Sequence, residues 1–386
     1  MTDTRRSAVS PKLPFVTRST RTPGGTGKRS ARRTPRSRPP VVAAAVPLRR
    51  VQPTDLVSVV IATIGRSSLR DTVTSLLGQS HQTIEVIVVD NAPATGNVTT
   101  VLSGISDPRL RVLTEPVKGV SAARNTGVAA STGSVVAFTD DDAVPEPRWV
   151  TSLFDSFLTD DSGTLAAVTG RVVGINVTTE QQRWFDDAQI FDKGFDRKVF
   201  STQDLSTPTA LGPAAEVSLF FPWTCGEVGN GNNMAFHRDV FKFIGNFDHL
   251  LGPGTMTRGG EDLDLLRRAL LAGYAVAYSP DALVGHEHRA TLSDLRAQMY
   301  GYGVGMSSVL AKGAHSGGLV PIIKLMPRGL EFLISPSSGR NTKRPNEMPR
   351  SLVWLELAGY LAGPVLYTVA KLRLASARLS RSGPAT

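Results

Sequence analysis

Three stretches constrain this chain more than any other feature. LVSVVIAT (56–63), IEVIVVDN (84–91) and SVVAFTDDD (134–142) are nearly continuous runs of β-branched and other apolar residues, two of them ending in aspartate or asparagine. A strand with one wet face alternates apolar and polar residues, whereas a strand covered on both faces reads as an unbroken apolar run. Helix signals lie between the runs. SSLRDTVTSLLGQS (67–80) puts Leu69, Val73, Leu76 and Leu77 on one helical face, with Gly78 near the end as a stop. GVSAARNTGVAASTG (119–133) reads as a small-residue helix, with Ser121 a candidate N-cap and Gly133 a terminator. RLRVLTE (109–115) is a shorter strand. Strand, helix, strand, strand, helix, strand predicts an α/β domain with a mostly parallel sheet flanked by helices.

In such sheets ligands sit beyond the carboxyl ends of the strands, in the crevice where the winding reverses. Asp90 lies at one such end, and Asp140, Asp141 and Asp142 at another. Carboxylates crowded there suit a divalent cation among oxygen ligands; the plain alternative is a solvated acidic turn closed by PEP (145–147). A second block, RGGEDLDLLRRALLAGYAVAYSPDALVGHEHR (258–289), opens a helix after Gly259 and Gly260, with Leu263, Leu266 and Leu270 on one face and Gly273 as its stop. Glu261 and Asp262 fall in its first turn, where exposed amides favour acids. Asp264, with Arg267 and Arg268 at helical spacing, reads as surface ion pairing. The block ends in His286, Glu287 and His288, and two histidines two apart on an extended segment face the same side. Imidazole with carboxylates suits Mn²⁺ or Mg²⁺, and a chain with one cysteine has no thiolate cluster for structural zinc.

The net charge of +10 in 386 residues would suggest nucleic acid or membrane if it were spread evenly. It is not. Residues 1–50 hold 13 Lys or Arg against the single acid Asp3, which leaves the remainder slightly acidic. That tail, densest at KRSARRTPRSRPP, lacks large apolar residues, so disorder is expected over 1–52. A nucleic-acid-binding protein is suggested by the tail alone, because the rest has no basic stripe interleaved with aromatics. A nucleotidyltransferase or other metal-dependent phosphoryl-transfer enzyme would also want carboxylates at strand ends, but GxxxxGK is absent. VVAAAVPL (41–48) is too short and too far from the start to be a signal-peptide core, and Cys225 excludes an internal disulfide, so a cytoplasmic catalytic part is expected.

From about 56 to 290 the chain resembles the family 2 glycosyltransferases of GT-A fold, which move a sugar from a nucleotide diphosphate donor to an acceptor hydroxyl with inversion. Five segments carry the resemblance, in the family's order: VSVVIATIGRSSLRDTVTSLLGQS, IEVIVVDNAP, GVSAARNTGVAASTGSVVAFTDDDAVPEP, GNNMAFHRDVFKFIGNFDHLLG and GGEDLDLLRRALLAGY. The resemblance implies that Ala62, Thr63, Asp90, Arg124 and Asp140 bind the donor. It further implies that Asp140 and Asp142 are the outer members of a DxD metal motif, with His286, or alternatively His288, as the C-terminal metal-associated histidine. Asp262 would be the base that removes the acceptor proton. Glu261, Asn232, Asn233 and Trp223 would lie on the acceptor side, although GNGNN is also good turn sequence and Trp223 equally suits the core.

The expected division is a tail over 1–52, a GT-A catalytic domain over 53–292, and a helical extension over 293–386. In the extension, LVWLELAGYLAGPVLYTVA (352–370) has the length of a short membrane span, with Lys371, Arg373, Arg378 and Arg381 after it. Glu356, Gly359, Gly363 and Pro364 argue equally for a helix lying in the interface or packed on the catalytic domain. GLVPIIKLMPRGLEFLI (318–334) could rest on a bilayer as well, and the basic tail suits anionic lipid. The expected partners are therefore a nucleotide-sugar donor, a glycan or lipid-linked acceptor and, peripherally, the inner face of an anionic membrane; nucleic acid is not expected.

Overall fold

The computed structural model describes residues 44–205, 209–335, 337–338 and 341–381. The densest part of the basic tail, 1–43, lies outside the described residues. Among the described residues one sheet holds β1 (Val57–Thr63), β2 (Ile84–Asp90), β3 (Leu110–Thr114), β4 (Val135–Asp140), β5 (Ala143–Pro145), β6 (Leu165–Ile175), β7 (Lys198–Phe200), β8 (Met234–His237) and β9 (Ala275–Glu287). The helices are α1 (Leu69–Leu77), α2 (Asn97–Val101), α3 (Val120–Ala130), α4 (Trp149–Thr159), α5 (Glu180–Asp187), α6 (Phe241–Ile244), α7 (Glu261–Leu271), α8 (Leu292–Gly313), α9 (Leu319–Ile334) and α10 (Ser351–Arg381). This is the expected α/β architecture.

Strand order is β3-β2-β1-β4-β8-β6-β9-β5, with β7 on β9. The first four strands are parallel, as their unbroken apolar runs require. Val59 and Ile61 face one core with Leu69, Val73 and Leu76 of α1 and Phe154 of α4; Val60, Val136 and Phe138 face another with Ala123 of α3 and Leu266 and Leu270 of α7. From β1 the chain winds outward through β2 to β3, then returns to place β4 on the other side of β1, so the winding reverses between β1 and β4. Register levels the strand ends at that point, since Thr63 pairs with Asp90 and Ala62 with Asp140. Beyond β4 the sheet turns mixed: β8 runs antiparallel to both β4 and β6, while β9 is parallel to β6 and antiparallel to β5.

Residues 44–52, counted with the tail on composition, lie against this body. Leu48 and Val51 are buried, and the Leu48 amide donates to the Gly163 carbonyl at 2.8 Å. At the other end α8 packs along α10 with almost no space between backbones. A Cβ on Gly303 would overlap the Glu356 carbonyl, one on Gly359 the Tyr300 carbonyl, and one on Gly363 the Ser307 hydroxyl. Gly359 and Gly363, two of the residues that argued against a membrane span in α10, thus allow this close crossing. Ser351–Ala377 is long and apolar enough to cross a membrane by length and composition, but its Leu352, Glu356 and Tyr367 are buried, facing inward.

Two sequence assignments change in the fold. Asp264 is not a surface ion-pair partner: its carboxylate is fully buried and accepts from Arg267 (3.0 Å), Arg268 (2.8 Å) and Lys312 of α8 (2.8 Å). Lys312 also pairs with Asp248 at 2.7 Å, so α8 covers the face of α7 that periodicity alone would leave to solvent. Asn233 is not free to meet a sugar. It is fully buried, its Oδ1 accepts from Trp149 Nε1 (2.8 Å), and its amide donates to the carbonyls of Arg171 (2.8 Å) and Ala282 (2.7 Å). All its strong hydrogen-bonding groups are spent on joining α4, β6 and β9. Asn233→Ala should therefore cost about 3 kcal/mol by stranding three buried groups, read as a lower urea midpoint with an unchanged slope.

Candidate active site

The three consecutive aspartates diverge to three sets of partners. Asp140, the last residue of β4, keeps its side chain 37% exposed and accepts from Arg124 Nη2 at 3.0 Å. Asp141 is buried, accepting from the Thr63 hydroxyl at 2.6 Å and from Arg66 Nη1 at 3.0 Å. This ties the end of β4 to the end of β1. Asp142 is buried beside His286, with Oδ1 3.2 Å from Nε2, and accepts from Arg66 Nη1 at 2.8 Å. Strand pairing explains the contact, since Ala143 of β5 is the register partner of His286 in β9.

Burial tends to raise the pKa of Asp142, but His286, Arg66 and Arg289 outweigh it and hold the carboxyl down to about 2. Burial pushes the Asp141 carboxyl up, with Arg66 and Thr63 opposing. Ligand atoms of Asp140, Asp142 and His286 all lie within 4.8 Å of one another. Two hard carboxylates and one imidazole make a donor set that suits a hard divalent cation, so this group is a potential Asp-Asp-His metal site.

Across a cavity of about 1430 Å³ from Asp140 stands the start of α7. Gly260 enters it with φ +91°, and a Cβ there would lie 2.7 Å from the Gly305 carbonyl, so glycine is required at this helix entry. Glu261 and Asp262 follow. Arg124 from α3 spans the two sides: its guanidinium is buried, gives Nη1 to Glu261 at 2.9 Å, and gives Nη2 to Asp140 and to the Gly231 carbonyl at 3.1 Å. Burial raises the Glu261 pKa to about 7, assisted by the Asp262 charge and opposed by Arg124. Burial likewise raises that of Asp262, against Arg124 and the Leu263 amide. A carboxylate with raised proton affinity, open to a cavity, is equipped to take a proton from a hydroxyl.

The Glu261 shift has a consequence for stability. The folded protein holds this proton to about pH 7 and the ordinary value is 4.5, so between those values the unfolded chain binds fewer protons. Stability contributed here is present below about pH 4.5 and is lost as pH rises towards about 7. Urea midpoints of the parent protein should show that fall, and Glu261→Gln, neutral throughout, should flatten it.

The remaining expected residues divide. Asn232 lines the cavity with its buried Oδ1 unpartnered by protein. Ala62, Thr63 and Asp90 sit at the neighbouring strand ends and do not line this cavity. The Thr63 hydroxyl is committed to Asp141, and Asp90 accepts the Ala92 amide at 2.9 Å. Trp223 does not line the cavity either; its ring packs where a Cβ on Gly318 would be, at the turn from α8 to α9. Its sequence neighbourhood permitted either outcome. His288 turns from the metal group: its Nε2 is 3.3 Å from Asp186 Oδ1, and its ring lies 4.7 Å from that of Phe185. Sequence reasoning missed Arg66, which follows the first strand in ATIGRS, and Arg289, whose Nη1 is 3.6 Å from Asp142. A cation just beyond a strand end that faces three aspartates was the available signal for both.

Residues 58–215 match Glycosyl transferase family 2. The chain is 32% identical over 239 residues to a pre-mycofactocin glycosyltransferase of Mycobacterium tuberculosis, covering 61% of this chain and 43% of that protein. It is 31% identical over 240 residues to the glucosyl-dolichyl phosphate glucuronosyltransferase of Haloferax volcanii, covering 60% and 69%. With the succinoglycan biosynthesis protein ExoM of Rhizobium meliloti it shares 27% over 279 residues, covering 66% and 75%. The solved structure of S. aureus TarS 1-349 aligns over 80% of each chain with a TM-score of 0.41 at 14% identity. A mixed α/β sheet whose winding reverses beside an acidic, metal-capable crevice is the arrangement in which α/β proteins bind ligands beyond the strand ends. The chain belongs to the family 2 glycosyltransferases.

Proposed function

We propose that this chain is a divalent-metal-dependent, inverting glycosyltransferase that moves a sugar from a nucleotide diphosphate donor to an acceptor hydroxyl, in the building of a cell-envelope polysaccharide or glycolipid. One observation carries the proposal: Asp140 and His286 of the ligand group and the acid Asp262 line one cavity, which Arg124 spans. Asp140, Asp142 and His286 would hold Mn²⁺ or Mg²⁺, which when bound offsets the charge developing on the leaving diphosphate. Ala62 and Asp90, at strand ends beside Asp140, take the nucleoside. Asp262 accepts the proton of the acceptor hydroxyl, which attacks the anomeric carbon from the face opposite the leaving group and so inverts it. The unpartnered Asn232 Oδ1 accepts from an acceptor hydroxyl. Arg124, gripping Glu261 and Asp140 together, keeps the base helix at a fixed distance from the donor side.

Residues 53–292 form the catalytic part in this proposal, and 293–386 an extension that meets the inner face of a membrane. Along α9, Leu319, Ile323, Met326, Leu330 and Ile334 recur at helical spacing on one outward stripe, each 48–63% exposed. Along α10, Trp354, Leu361, Val365 and Leu372 do the same at 62–81%. Exposed Lys324, Arg328, Arg350, Lys371 and Arg373 accompany the stripes, a combination that suits an anionic interface. A relative named for glucosyl-dolichyl phosphate supports a lipid-linked acceptor here as well. Proton NMR of the product made from an α-linked nucleotide sugar should show a β linkage; a retained α linkage would refute inversion.

A further inference from the structure

Asp262 stands between two places where α7 is fastened to α8. At the entry of α7, Gly259 and Gly260 lie directly against the α8 backbone. A Cβ on Gly305 would come 2.7 Å from the Gly259 carbonyl carbon, and one on Gly260 would come 2.7 Å from the Gly305 carbonyl oxygen. Two residues beyond Asp262, the fully buried Asp264 carboxylate accepts from Lys312 at 2.8 Å, about two turns along α8 from Gly305. The other two donors to Asp264, Arg267 and Arg268, belong to α7 itself. Lys312 is therefore the donor that fixes this carboxylate to another helix. Its ammonium also pairs with Asp248 at 2.7 Å, and Asp248 accepts from the Tyr367 hydroxyl of α10 at 3.3 Å. The loop after α6 and the helices α7, α8 and α10 thus meet at one ammonium group.

Lys312, Asp264, Asp248 and Tyr367 do not line the cavity, so any effect they have on chemistry passes through α7. A general base works only within hydrogen-bond reach of the proton it takes, and a displacement of about 1 Å at a reacting group can cost ~100-fold in rate. We infer that Lys312, carried by the C-terminal extension, is a positioning residue for sugar transfer. Through Asp264 it fixes the first turns of α7, and with the Gly305 contact it sets where the Asp262 carboxylate stands in the cavity. The extension is then part of the catalytic apparatus as well as a membrane contact. Folding does not depend on the tie, because Asp264 keeps two guanidinium partners when Lys312 is replaced. The inference rests on the transferase proposal for the role of Asp262, but the tie itself is measurable without substrate.

Amide hydrogen exchange and initial rates on the full chain test this together. Lys312→Met should speed exchange in α7 by about tenfold, as expected for loss of one charge-assisted hydrogen bond, while β1, β2 and β4 keep the parent's protection. The same variant should lower kcat at least about tenfold and leave the donor KM within about twofold. Lys312→Arg, which keeps the charge, should recover most of both. In an Asp262→Asn background Lys312→Met should change the residual rate by less than about twofold, because a residue that acts through the base has nothing left to position. Parental kcat in Lys312→Met would overturn the inference. So would an equal loss in both backgrounds, or exchange that accelerates as much in the strands as in α7, since either marks a general loss of structure. Full activity of Asp262→Asn alone would count against the base in the transferase proposal; the exchange comparison would then decide the tie by itself, so the two fail separately.

Discussion

Asp262→Asn is expected to lower the rate of sugar transfer by about 1,000-fold while leaving donor affinity within about twofold, because a positioned general base typically contributes ~10²–10⁴. The substitution suits the test. Asparagine keeps the shape of the side chain and an Oδ1 to accept the Leu263 amide, now at 2.8 Å, so the first turn of α7 is preserved. What it loses is the ability to take a proton. Removing a charge beside Glu261 also relieves the repulsion that helps raise the Glu261 pKa, so the variant should be no less stable than the parent. Initial rates and calorimetric donor titrations, made on the same preparation, separate the two quantities. Full activity in Asp262→Asn would show that another group removes the proton. Glu261 would be the next candidate, although its carboxylate is buried and held by Arg124.

Asp140→Ala combined with Asp142→Ala is expected to weaken metal-dependent donor binding by at least about 100-fold. Loss of residues that merely support a metal ligand commonly costs ~10–100-fold in affinity, and here two of three grouped ligands disappear. The fold should survive. Arg124 keeps Glu261 and the Gly231 carbonyl, Arg66 keeps Asp141, and two charges are removed from a crowded strand end. Circular dichroism should therefore match the parent. In EDTA the parent should fall to the variant's residual affinity, whereas unchanged affinity in the variant would remove the metal site from the account.

Much of this was legible from residues alone because the physics involved is local. An unbroken apolar run is buried on both faces wherever it folds, which located β1, β2 and β4 and, through their register, the level of Asp90 and Asp140. What the chain hides locally is which partner arrives from far away in sequence. Asp264 has the spacing of a surface pair and becomes buried because Lys312, 48 residues later, covers it. Asn233 stands in a turn-like GNGNN, yet Trp149, 84 residues earlier, takes its Oδ1. Asp141 had no assigned role, because only the fold brings Thr63 and Arg66 beside it. The two histidines share a strand pattern, but β9 ends at Glu287, and His286 meets Asp142 while His288 meets Asp186.

The most direct measurement is calorimetric binding of UDP-, GDP- and dTDP-sugars to the full chain, each with Mn²⁺, Mg²⁺ or EDTA. One nucleotide class should bind with a divalent cation and lose that binding in EDTA. Binding that EDTA leaves unchanged, or no binding of any donor to folded protein, would contradict a site built on Asp140, Asp142 and His286.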